Sequence, residues 1–122
     1  MKCLEELVAK FSNAVRGQDD ALRAHDHERG NRLAKEYVQA FEELRRYGNE
    51  GRDALAVLLL SEEPSVRVMA ASFLLRHKEK EARAVLEEAV REGGMAGFEA
   101  SQALARWSEG EWNLDPWSVG LS

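Results

Sequence analysis

His25-Asp26-His27-Glu28 is the densest group of side chains in this sequence that could hold a metal or move a proton. A structural or catalytic zinc takes three or four such ligands converging on one point. Consecutive residues around a turn point in different directions, so Asp19, Asp20 or Asn31 would have to complete the set. The remaining histidine, His77, stands far along the chain beside Arg76 and Lys78, where a cationic helix C-terminus accounts for it. The four-residue run therefore reads as a solvated turn between helices. Cys3 falls in the first turn of a helix, a place that can activate a thiol. Glu5 and Glu6 oppose that, and no histidine is near in sequence. Glu5-Glu6, Glu42-Glu43 and Glu87-Glu88 are adjacent on helices and so do not face one another. There is no HExxH helix, no glycine-rich phosphate loop after a strand and no GxSxG elbow. No catalytic residue, metal ligand or cofactor site is assigned, and the chain is not expected to be an enzyme.

Residues suited to binding a partner are easier to find. Trp107, Trp112 and Trp117 fall within eleven residues of a chain with few other aromatics. Trp107 is expected to close the end of the core and Trp112 to shield the last helices. Trp117, beyond Pro116, has the weakest claim on a core and is the best candidate for an exposed anchor, a role common for Trp. Arg67 and Arg76 belong to a locally basic stretch from Pro64 to Lys80, which is followed by an acidic one from Glu81 to Asp115. Overall, 17 basic residues face 22 acidic ones. That balance disfavours nucleic acid, whose non-specific binding needs a strongly basic surface. An acidic C-terminal half would instead suit a basic protein partner.

The elements that must position these residues are helices. Ala, Leu, Glu and Arg dominate, Pro occurs only twice, and 122 residues suffice for a core without metal or disulfide. The single Cys3 fits a reducing compartment. Met1 leads almost directly into Leu4-Glu5-Glu6-Leu7, and the longest apolar run, Ala54 to Leu60, is too short to span a bilayer. A soluble, cytoplasmic protein without membrane contact is expected.

Leu4, Leu7, Val8, Phe11, Ala14 and Val15 recur at three- and four-residue spacing, which predicts a first helix to about Ala24, bent near Gly17. A second helix is predicted from Glu28 to Tyr47, with Leu33, Tyr37, Phe41 and Leu44 on one face. Gly48 and Gly51 end it and open the next turn. Gln18 and Asp19 lie opposite Asn31-Arg32, and a polar contact between them would fix the register of this first hairpin. Helix three is expected from Arg52 to Leu60, central because it is apolar nearly all round. Pro64 opens helix four, to Arg76. Helix five runs from Lys80 to Glu92. Helix six runs from Met95 to Ser108, with Phe98, Ala100, Leu104 and Trp107 as apolar contacts.

Two of these hairpins match. Ala54, Ala56, Val57 and Leu58 recur as Ala82, Ala84, Val85 and Leu86. Val66, Ala70, Leu74 and Arg76 recur as Ala96, Ala100, Leu104 and Arg106. Such repetition marks stacked helix pairs. The expected fold is all-α: a right-handed α-α superhelix of about three helical hairpins in one domain, 1–122. Within it, 1–48 forms a long hairpin, 51–78 and 80–109 form two repeat-like hairpins, and 110–122 is an irregular tail.

Pro64-Ser65-Val66-Arg67-x-x-Ala70-Ala71-x-x-Leu74 resembles the second helix of a HEAT or armadillo-type repeat. The resemblance implies that Pro starts the helix, Arg67 ties repeats together and the Ala pair packs on a neighbour. Glu63 stands where HEAT repeats commonly place Asp, so Ser61 or the loop backbone is expected to cap helix four. From Leu4 to Leu114 the chain is similar to a family of short bacterial HEAT-like proteins classed as a domain of unknown function. That similarity rests on Leu7-Val8-x-x-Phe11, Gln18-Asp19-x-Ala21-Leu22, Asn31-Arg32-Leu33, Glu43-Leu44-Arg45, Gly51-Arg52-x-Ala54-Leu55, Val66-Arg67-x-x-Ala70-Ala71 and Leu104-x-x-Trp107-x-x-Gly110-x-Trp112. It implies an armadillo-type stack and no established activity. The functional expectation is a non-enzymatic scaffold that binds a protein partner, as an adaptor or immunity-like protein. Its binding face would lie on helices four and six, with Arg67, Arg76, Trp112 and Trp117 at the edge. Nucleic-acid binding through a HEAT-like groove is the alternative, and the chain is expected to be a monomer or homodimer.

Overall fold

A computed structural model describes residues 3–109. Among them are six α-helices, one short 3₁₀ helix and no strands: α1 (Leu4–Arg23), α2 (His27–Arg45), α3 (Asn49–Leu55), a 3₁₀ helix (Ala56–Leu60), α4 (Pro64–Leu74), α5 (Glu79–Glu92) and α6 (Gly94–Ser108). The chain divides into two compact units, the first ending at Leu58 and the second starting at Leu59.

In the first unit, α1 and α2 pack along one another and α3 packs on both. Leu7, Phe11, Ala14, Val15 and Ala21 form the buried stripe of α1; Tyr37, Ala40, Phe41 and Leu44 form that of α2, and α3 adds Leu55. These are the three- and four-residue intervals of one helix face. The Phe11 and Tyr37 rings meet edge-on, with centroids 5.7 Å apart, a favoured aromatic geometry. α1 runs through Gly17 as one element.

The polar contact expected across this hairpin is not made. Asp19 pairs instead with Arg23 on its own helix at 3.1 Å, and Asn31 and Arg32 are exposed. Apolar packing sets the register. A Cβ placed on Gly17 would lie 2.9 Å from Leu33 Cδ1, and one on Gly30 would lie 3.9 Å from the Ala21 Cβ. Gly51, expected in a turn, is buried inside α3.

In the second unit, α4 packs on both α5 and α6, which also pack on each other. The central helix is α4. Ala70 to Leu75 are buried without interruption, as are Val66 and Val68. Ser72 is satisfied there by donating its hydroxyl to the Val68 carbonyl, 2.9 Å away. The run expected to be a central helix three is divided: its α-helix ends at Leu55, and the 3₁₀ helix leaves Val57 and Leu60 65% and 87% exposed. At the start of α4, Pro64 takes the first helical position as expected, but Ser61 does not cap the helix. Its hydroxyl accepts the Glu63 N–H at 3.2 Å, while the Glu63 carbonyl receives the Val66 and Arg67 amides, both at 3.1 Å.

Facing one another, α5 and α6 use small residues. Ala82, Leu86 and Ala89 are buried on α5, and Gly97, Ala100 and Ala103 on α6. A Cβ on Gly97 would come within 2.8 Å of the Ala89 carbonyl oxygen, so the two backbones approach as closely as glycine allows. Gly93 and Gly94, with φ of +80° and +74°, make the reversal between them.

Candidate functional site

The His25–Glu28 run is consumed by chain reversal. Helix α1 ends with the Asp26 amide donating to the Ala21 carbonyl at 2.8 Å and the His25 amide to the Leu22 carbonyl at 3.1 Å. This is the double bond of a Schellman motif, with His25 at φ +58° in the position usually given to glycine. Asp26 then caps α2, its Oδ1 accepting the Arg29 N–H at 3.0 Å. His25, Asp26, His27 and Glu28 are all exposed. No group of three or more metal-ligating side chains comes together among the described residues.

Arg67 is half-buried and tied within the second unit. It donates to the Ser61 carbonyl at 2.7 Å and to Glu92 Oε1 at 3.3 Å, which joins the approach to α4 with the end of α5. Arg76 is exposed just beyond α4. Trp107 is partly covered, its indole N–H directed at Glu79 Oε2 at 3.4 Å. Trp112 and Trp117 lie outside the described residues.

The outer face of α5 is a lattice of short ion pairs. Arg83 sits between Glu79 and Glu87 at 3.5 and 3.6 Å, and Arg91 pairs with Glu88 at 2.6 Å. The hydrogen bond and charge of Glu88 raise the Arg91 pKa above its already high ordinary value. An open depression lined by Glu79, Lys80, Arg83, Ala84 and Glu87 lies along the same helix. Its ion pairs are exposed and contribute little stability individually.

The second unit also departs from expectation in where its large apolar residues go. Of the helices expected to form the binding face, α4 offers little surface: Pro64 is exposed, Ser65, Arg67 and Met69 are half-buried, and the rest of the helix is buried. Phe98, expected as a core contact of α6, is 65% exposed; Met95 is 53% and Val90 41% exposed. A signal for this existed in the sequence. Gly97, Ala100 and Ala103 recur every third residue and mark the closely packed side, which turns Phe98 and Met95 away from it.

Comparison with known proteins bears on this arrangement only through the fold. No curated protein matches the chain. The crystal structure of the protein RPA1889 from Rhodopseudomonas palustris CGA009 is similar, with a TM-score of 0.85 and 29% sequence identity over 90% of this chain and 92% of that one. The model of a domain of unknown function, DUF2019, matches residues 5–105, taking in α2 to α5 whole, all of α1 but its first residue and all but the end of α6. With the match running through both units, the chain belongs to the DUF2019 family.

Proposed function

We propose that this chain is a non-enzymatic scaffold that binds a protein partner, acting as an adaptor or in the manner of an immunity protein. Its helices would be arranged as HEAT or armadillo-like hairpins, in a soluble cytoplasmic protein. The observation that carries the reading is the exposure of Met95 and Phe98 on α6, with Val90 across the turn on α5. Large exposed apolar groups set among polar residues are a common mark of protein contact. Arg67 spends its hydrogen bonds within the second unit, which moves the candidate face from the edge of α4 to α6.

The test is affinity capture from the native cell under mild conditions, using the tagged chain beside Phe98→Glu and Trp117→Ala versions. One defined protein, recovered with the unaltered chain, supports the reading. Failure to recover any protein over repeated captures overturns it.

A further inference from the structure

Met95, Phe98, Gln102 and Ala105 are exposed on α6 at intervals of three, four and three, so they share one face. Its bulk stands at the N-terminal end, in Met95 and Phe98, and it thins to Ala105 toward the other end. The opposite side of the helix, through Gly97, Ala100 and Ala103, is buried. Trp107 leaves the face open, because its indole N–H is directed at Glu79 Oε2 on α5.

Area and chain length together say what fits there. Fifteen residues of helix are roughly 22 Å long and about 10 Å across. That strip alone is far below the ~800 Å² per partner of a stable globular interface. A segment of the same chain needs much less, because its tether supplies an effective concentration on the order of millimolar. The residues after Glu109 read Gly110-Glu111-Trp112-Asn113-Leu114-Asp115-Pro116-Trp117; they lie outside the described residues. Glycine directly after a helix is the residue type that most easily turns a chain back. Trp112, Leu114 and Trp117 supply large apolar groups, and the segment has no basic residue to bring it to the glutamates of α5.

Reach then assigns each Trp its place. Measured back along α6 from Glu109, Ala105 is roughly 6 Å away, Phe98 roughly 16 Å and Met95 roughly 21 Å. Three residues carry the backbone of Trp112 at most about 10 Å, and eight carry that of Trp117 at most about 28 Å. Trp112 therefore reaches the thin end of the face, and Trp117 is the first aromatic long enough in tether for the bulky end.

We propose that residues 110–117 turn back along α6, with Trp112 over Gln102 and Ala105 and Trp117 over Phe98 and Met95. The contact stands without the protein-binding reading above. Where both hold, the segment competes with any partner for this face, and the partner must displace Trp117.

Carbon-13 labelling of the methionine methyl groups in the full chain tests this. An indole ring in contact displaces a methyl resonance upfield, and Met69 on α4 serves as the internal reference; Met95→Leu assigns the signal. Trp117→Ala should return the Met95 resonance toward that of a solvated methionine, leaving Met69 and the helical circular dichroism unchanged. Trp112→Ala should move it less than half as far. A Met95 resonance that Trp117→Ala leaves in place overturns the proposal. An equal or larger effect of Trp112→Ala overturns the register. A displacement that fades on dilution, with a dimer in light scattering, gives the face to a second copy and also overturns it. Partner capture together with an unmoved Met95 resonance would remove the cover and keep the binding reading, whereas the expected resonances without any captured partner would do the reverse.

Discussion

His25 and Asp26 show how a pair of chemistry-bearing residues can be wholly occupied by geometry. His25 holds a left-handed backbone, φ +58°, at the end of α1, a conformation that costs a non-glycine residue on the order of 1 kcal/mol. Asp26 meanwhile caps α2 through the Arg29 amide. If reversal is their whole role, His25→Gly should stabilise the chain by up to ~1 kcal/mol, because glycine adopts that backbone without penalty. Asp26→Ala should cost ~1 kcal/mol by orphaning an amide of the first turn of α2. Urea denaturation followed by circular dichroism measures both. Stability lost in His25→Gly would mean that the imidazole makes a contribution beyond the turn. Sequence reasoning reached the turn between the two helices. It did not reach the division of labour, which depends on which residue takes φ above zero.

At the level of elements, periodicity located all six α-helices because each carries a stripe at the helical interval. It placed the stripe of α1 on Leu7, Phe11, Ala14 and Val15, and these are buried. Where no polar residue marks a face, periodicity says nothing. Ala54 to Leu60 reads equally well as a central helix and as a helix end followed by a 3₁₀ turn, and tertiary packing decides for the second. Register was likewise hidden, because it is set by the absence of atoms. In α3, a Cβ on buried Gly51 would drive into the Leu44 carbonyl oxygen at the end of α2, whereas one on Gly30 would meet Ala21 and Leu22 at ordinary contact distance. Two identical substitutions should therefore have opposite signs. Gly51→Ala should lose at least ~2 kcal/mol, since backbone on both sides prevents relief. Gly30→Ala should gain ~0.5–1 kcal/mol from helix propensity, together with a new contact. Thermal unfolding of the two variants resolves the sign directly. A stable Gly51→Ala would show that α3 can withdraw from α2.

For the whole molecule, the deciding quantity is how much cationic surface remains to meet an anionic partner. Acidic residues exceed basic ones by five in net charge. In the locally basic stretch that motivated the nucleic-acid alternative, Arg67 is held by the Ser61 carbonyl and Glu92. Farther along, Arg83 and Arg91 are held by neighbouring glutamates at 2.6–3.6 Å. A duplex engaging these three arginines would have to break those pairs while bringing phosphates toward an acidic hairpin. Counterion release rewards only cations that reach phosphate, so the gain is small and the repulsion remains. The expected result is no complex with a 30-base-pair duplex at ~100 µM protein and ~150 mM salt, the regime in which ordinary non-specific binders already associate. Fluorescence anisotropy across a salt series would measure it. A complex whose affinity falls steeply with salt would require several free cations on one surface, and would restore the groove-binding alternative. A flat, unbound baseline would leave the exposed apolar residues Met95 and Phe98 of α6 as the candidate contact surface of the protein-binding proposal.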